Sequence, residues 1–300
     1  MNYLGEFSAL LTAVFWTVTS LSFEAAGKRV GSLQVNLIRL IIAFFFYSVY
    51  LKITRGMFLP LDAGAERWLW LSLSGVVGFV IGDLLLFQAF VVVGARISML
   101  IMSLSPPITA LISWLILGEV LSPMNFLGMA VTMTGISMVV LKREKRSGME
   151  RRKITTAYSL KGIFLAFGGA LGQAAGLVLS KKGMGSYDAF ASSQIRVIAG
   201  MMGFLMIILV MRRWPRIIGA LHNRQAMRMI SLGSLFGPFL GVSFSLLAVQ
   251  NTRAGIAATI MAIVPVLIIP PAVLIFRERI NWKEIAGAII TVVGVMLFFL

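Results

Sequence analysis

The sequence predicts an all-α integral membrane protein of ten transmembrane helices, arranged as two inverted five-helix repeats. Three observations predict it. The 300 residues are 59% apolar and only 13% charged, with a mean hydropathy of +0.94, whereas a soluble domain carries about 25% charged residues. Ten stretches approach the roughly 20 apolar residues that a helical span needs. The second half also repeats the first in register over its last three spans.

The first stretch, about Leu4–Ala26, starts with no Lys or Arg in Met1 to Gly5. It lacks the basic start of a cleaved signal peptide and is expected to stay as a span. The next four run at about Leu33–Leu51, Trp68–Phe90, Ile97–Leu117 and Asn125–Leu141. A basic break follows, and then come Leu160–Leu179, Ala189–Met211, Met229–Val249, Ile256–Phe276 and Trp282–Leu300. None alternates polar and apolar residues as barrel strands do, so helices are the reading. The organisation is a first repeat over 1–141, a basic connection over 142–157 and a second repeat over 158–300.

A shift of 159 lays Trp68–Leu141 on Met227–Leu300 without a gap. Gly78 and Gly82 then fall on Gly237 and Gly241, Pro106 on Pro265 and Glu119 on Glu278. Gly128 and Gly135 fall on Gly287 and Gly294. Apolar composition raises chance matches of Leu and Ile, but not of Gly, Pro and Glu in one register. Five spans per half is odd, so the second copy must insert upside down, an arrangement of many transporters.

The counts exclude much. There is no Cys and one His, His222, so thiolate metal sites, Cys nucleophiles and His-dependent triads have almost nothing to work with. No GxxxxGK[ST] loop occurs to cradle a nucleotide. A lipid-modifying enzyme would need clustered His, Asp or Glu near the interface, and none is present. The net charge of +16 lies in the connections and argues for no nucleic-acid partner. An inside N-terminus leaves six Lys and Arg in the cytoplasm and 19 opposite, with Arg39 and Arg196 set aside. The positive-inside rule therefore favours both termini outside, with Lys142–Lys153 cytoplasmic.

Few polar residues enter the spans. Asp83 is the one carboxylate well inside an apolar run, and a charge there must be paired, protonated or wet. It reads either as a proton or substrate-amine site or as a hydrogen-bonded packing residue beside Gly82. Glu24 reads as a gate or as an i,i+4 ion pair with Lys28. Arg39 and Arg196 each begin a helix, where the dipole disfavours a cation, so each calls for a specific partner such as a carboxylate or carbonyl. Glu119 and Glu278 close matching spans and read as capping residues. Pro106 and Pro107 interrupt the fourth span, and Pro265 and Pro270 the ninth. Paired breaks of this kind point to a transport site. Gly75, Gly78 and Gly82, like Gly169, Gly172 and Gly176, place small residues on one helix face for close approach.

Taken together, the chain resembles the drug/metabolite transporter superfamily, specifically its ten-span EamA type. Arg39 and Arg196, Pro106 and Pro265, Glu119 and Glu278, the Gly128–Gly135 and Gly287–Gly294 pairs and Trp16 carry the resemblance, over essentially the whole chain. It implies a secondary transporter, exporting small organic metabolites such as amino acids by alternating access between the repeats. The alternative is a channel, a facilitator or a non-transporting membrane protein. The resemblance implies a multi-pass protein of the cell membrane, monomer or homodimer, without enzymatic activity, cofactor or metal. Its partners would be a small-molecule substrate, the bilayer and, as a candidate coupling ion, the proton. The related small multidrug proteins hold a proton-exchanging Glu in the first span, where this chain reads Val14-Phe15-Trp16-Thr17. The family pattern places both termini inside, against the charge count. Guided by the family, Trp16, Asp83, Phe87, Gln88, Met99, Met102, Gln173 and Ser245 are the candidate cavity residues, and Pro106, Pro107, Pro265, Pro270, Gly82 and Gly241 the candidate gating breaks.

Overall fold

The computed structural model describes residues 3–117, 122–143, 154–156, 158–251, 257, 260–274 and 281–298. Glu119, Glu278 and most of the basic connection lie outside them. Apart from one short ribbon, the described chain is helical.

Helix α1 (Leu4–Val30) ends at Gly31, whose φ of 92° suits glycine, and α2 (Ser32–Arg55) ends at Gly56 in the left-handed conformation. The third rod is continuous from α3 (Ala65–Gly75) through a π-helical turn (Val76–Gly82) into α4 (Asp83–Met102). Gly94 breaks α4 at φ 83° and ψ 160°, a conformation essentially confined to glycine. Residues beyond it start the fourth stretch, which breaks again before α5 (Ser105–Leu117). Helix α6 (Pro123–Val140) closes the first half.

The second half runs through α7 (Leu160–Met184), α8 (Ala189–Val210), the short α9 (Trp214–His222) and α10 (Arg224–Ser234). A second π-helical turn, Leu235–Gly241, leads into α11 (Val242–Asn251). Helices α12 (Val264–Leu267) and α13 (Ile269–Leu274) form a broken rod, and α14 (Trp282–Phe298) closes the chain. Among the described residues six rods are long and apolar enough to cross a membrane, and the others are shorter. The connection expected as a plain loop pairs its two ends: Leu141–Arg143 and Ile154–Thr156 form an antiparallel ribbon with Leu141 opposite Thr156. Outside the apolar layer, strand pairing satisfies the backbone groups left over at the helix end.

Packing exchanges the two halves. Helix α1 lies against α10, the second π turn and α11, while α7 lies against α3, the first π turn and α4. The close approaches recur at the 159-residue spacing. Gly78 meets Gly176 and Gly237 meets Thr19; Gly82 meets Gly172 and Gly241 meets Trp16. A Cβ on Gly172 would stand 2.5 Å from the Gly82 Cα, so backbone touches backbone there. Likewise Gly135 packs on Thr291 of α14 and Gly294 on Thr132 of α6. Apolar tails give no hydrophobic drive for helices to associate, so contact of this intimacy is what holds a bundle in lipid. The core is aromatic, with Phe23, Tyr47, Phe79, Phe90 and Phe204 buried. Phe45, Ile53, Leu115, Phe164, Met206 and Val210 project outward, as suits a lipid-facing surface.

Candidate functional site

The exchange leaves a central cavity of about 170 Å³ between α1, α2, the two π-turn rods, α7, α8 and the broken fourth and ninth stretches. Its wall is aromatic and apolar: Trp16, Phe23, Phe79, Phe87, Phe90 and Met99 among others. Three charged residues reach it, Arg39, Asp83 and Arg196, and each is nine-tenths buried or more.

Asp83 follows the first π turn directly, on the rod face that α2 and α7 cover. Its Oδ2 accepts from Arg39 Nη2 at 2.5 Å and its Oδ1 from Gln173 Nε2 at 2.5 Å. Arg39 Nε donates to Asn36 Oδ1 at 3.2 Å, and Asn36 Nδ2 donates to the Asp83 carbonyl at 3.3 Å. The guanidinium of Arg39 stands 4.5 Å from the Phe87 ring centroid, a cation–π contact. Thus the partner that Arg39 calls for is Asp83, and Gln173 of α7 joins the second half to that pair.

Arg196 takes the matching place on α8, with the Phe79 ring 4.8 Å away. It has no carboxylate of its own: the position that repeats Asp83 is Val242. The second π turn is held instead by Tyr47. Its hydroxyl donates to the Pro238 carbonyl at 2.6 Å and lies 2.7 Å from Ser243 Oγ. Pro238 lacks an N–H, so carbonyls in this turn need an outside donor. Neither Tyr47 nor Phe79 stands out in the sequence, where each is one more aromatic residue in an apolar run.

Of the sequence candidates, Trp16, Asp83, Phe87, Met99, Met102, Gln173 and Ser245 border the cavity, with Arg39, Arg196, Pro106 and Pro265. Gln88 does not. Its Oε1 accepts from Ser32 at 2.6 Å, and it borders a second, more polar cavity of about 570 Å³ with Arg29, Arg213 and Arg216. Pro107, Pro270, Gly82 and Gly241 do not line it, and Pro270 is exposed on the outer surface. Chain breaks at Ser103–Leu104 and Ala262–Ile263 bring Pro106 and Pro265 to the cavity. Glu24 pairs with Lys28, as its spacing allows, and its Oε2 also accepts the Ala95 N–H at 2.8 Å. It therefore caps the helix that restarts after Gly94.

Two clusters stand at the ends of the third rod. Before it, Asp62 accepts from Arg55 and from the Tyr187 hydroxyl, the latter at 2.7 Å. After it, Glu284 accepts from Arg96 at 2.7 Å and from the Tyr158 hydroxyl at 2.9 Å. Burial pushes the Tyr158 phenol up to about 12, and the Glu284 carboxylate adds to the rise.

The EamA-like transporter family matches this chain twice, over residues 3–141 and 160–300. Solute carrier family 35 member G1 of Homo sapiens is 28% identical over 295 residues, covering 96% of this chain and 77% of its own. Its namesake in Mus musculus is 26% identical over 293 residues, covering 97% and 77%. One solved crystal structure shares the fold at a TM-score of 0.65 and 16% identity, covering 99% of this chain and 96% of that one. A chain matched in both halves, with apolar rods around a central cavity, belongs to the EamA-like transporter family and is a multi-pass membrane transporter of the drug/metabolite type.

Proposed function

We propose that the protein is a secondary carrier that exports small organic metabolites across the cell membrane by alternating access between two inverted five-span halves. The observation that carries this reading is the exchange of α1 and α7. Each packs on the π-turn rod of the other half, and the cavity lies between those two contacts. Matching breaks in the fourth and ninth stretches supply hinges at corresponding depths. The ten-span count is supported by chain order, since α5, α6, α12–α13 and α14 occupy the expected fourth, fifth, ninth and tenth places. The solute-carrier name of the relatives agrees with carriage of a solute.

The experiment is counterflow in proteoliposomes loaded with a metabolite panel. A carrier gives saturable exchange, accelerated when solute is present on the opposite side. A channel gives flux without such acceleration, and a non-transporting protein gives none; either result sinks the reading. Asp83 serves here as the counter-ion of Arg39, with both oxygens engaged. Asp83→Asn accordingly leaves any pH dependence of exchange in place. Its loss would assign the proton to Asp83 instead.

A further inference from the structure

We propose that the central cavity binds a small organic anion, a carboxylate on an apolar body, with Arg196 as the residue that meets the anionic group. This deepens the carrier reading above and rests on it for the assumption that the cavity is a substrate site.

The inference starts from charge. The residues lining the cavity include two cations, Arg39 and Arg196, and one anion, Asp83. Asp83 is bound to Arg39 and Gln173, which leaves one positive charge in excess. Among the described residues Arg196 makes no hydrogen bond and no ion pair, although it is only 4% exposed. Its Nε is fully enclosed without an acceptor, and the Phe79 ring lies against its guanidinium. The Asp83 carboxylate and Tyr47 act on its charge from farther off without bonding to it, and Asp83 is already paired with Arg39. A buried charge with no ion pair or hydrogen bond of its own is costly by several kcal/mol, and folds that keep one generally use it. Guanidinium offers a planar fork of donors matched to a carboxylate.

A second observation points the same way. Ser103, at the break of the fourth stretch, is 3% exposed and lines the cavity, and its Oγ also lacks a partner. Two buried donors thus border one space and wait for acceptors. The rest of the wall sets the body of the ligand. Trp16, Phe23, Phe87 and Phe90 offer rings and Met99 an adaptable thioether. A volume of about 170 Å³ suits a body of about one ring, since cavities of about this size take up benzene. An organic cation would meet the excess positive charge, and a neutral solute would leave Arg196 unpaired.

The test is equilibrium binding by calorimetry on the full chain in neutral detergent at pH 7. No phospholipid is added, so no lipid head group can supply the anion. The probes are acetate, benzoate and phenylacetate, each against its own amide, with benzylammonium as the cation. A carboxylate should bind roughly ten- to a hundredfold more tightly than its amide, the worth of a charge-assisted bond in a dry site. Arg196→Gln should erase that preference, and Arg196→Lys should keep part of it. If no carboxylate exceeds its amide, or if benzylammonium binds best, the proposal is overturned. Should Arg196→Gln fail to fold, the comparison of isosteres on the unaltered protein decides alone. Carboxylate binding without counterflow of any solute would retain the anion site and remove the carrier. Counterflow confined to neutral or cationic solutes would do the reverse.

Discussion

Asp83 and Arg39 form a buried pair between two different helices, with Gln173, Asn36 and Phe87 around it. A buried pair adds little stability over an apolar pair of similar volume, but removing one partner strands the other. Asp83→Leu should therefore lower stability by about 3–5 kcal/mol, read as a fall in the thermal unfolding midpoint in detergent. Adding Arg39→Met should restore most of it. A double variant no more stable than the single one would show that Asp83 is not what holds Arg39. Tyr158 gives a second expectation at this scale. Its folded-state value of about 12 exceeds the usual tyrosine value of about 10, so the neutral phenol is the form the fold prefers. Its contribution is full below about pH 10 and is lost as pH rises through about 12. Tyr158→Phe should remove that part of the alkaline stability loss, measured by unfolding midpoints across pH 9 to 12. An identical alkaline profile in both proteins would sever Tyr158 from the Glu284 cluster. Both residues of the Asp83 pair are visible in sequence as polar intruders in apolar runs. Their pairing is not, because 44 residues separate them and nothing local encodes which faces meet.

At the scale of the element, glycine does what side chains do elsewhere. The stripes at Gly78 and Gly82 and at Gly172 and Gly176 are legible as faces, from spacing alone. That each stripe is the other's partner is a property of the folded bundle. Gly172→Ala places a Cβ 2.5 Å from the Gly82 Cα and 2.9 Å from its N. Neither atom can turn aside, so the two rods must part. The loss should be about 1–3 kcal/mol, the usual toll of overpacking. Gly219→Ala is the control: nothing lies within 4 Å of its Cβ position, and a helical alanine there should be neutral or stabilising by up to about 1 kcal/mol. Equal effects at both sites would deny the contact between the stripes. The apolar runs marked where helices lie, but not where they bend. The π turns arise from packing rather than from a residue type, for only the second contains a proline, Pro238. The break at Gly94 is the exception: it falls in the gap between the third and fourth stretches, Trp68–Phe90 and Ile97–Leu117, where the apolar pattern already ends one span and starts the next. Helix α9 is hidden because its nine residues are too few to register as a span.

For the whole molecule, orientation and access are one question. The third rod, from Ala65 to Val93, is about 40 Å long at 1.5 Å per residue, so the clusters at its two ends face opposite sides of the membrane. The Glu284 end carries Lys28, Arg29, Arg96, Lys161, Lys283 and the arginines of 212–228, while the Asp62 end carries Lys52, Arg55, Arg67, Lys181 and Lys182. By the positive-inside rule this excess of bases predicts that the Glu284 end faces the cytoplasm. The absence of cysteine makes this directly measurable: in intact cells an impermeant maleimide should label Glu66→Cys and spare His222→Cys, and the opposite pattern would invert the assignment. Access follows from the same geometry. The Glu284 cluster ties the start of the fourth stretch to α14 and to the approach to α7. The Asp62 cluster ties α2 to the α7–α8 turn. Alternating access requires that one end loosen while the other stays shut, so weakening a cluster should favour opening at its own end. Partly exposed ion pairs are worth up to about 1 kcal/mol, a population shift of about fivefold at most. With Ser245→Cys reporting from the cavity wall, Glu284→Gln should raise labelling from the cytoplasmic face by about two- to fivefold and lower it from the other, and Asp62→Asn should do the opposite. If both changes raise labelling from the same face, the clusters are only fasteners, and the gating must lie in the proline breaks of the fourth and ninth stretches.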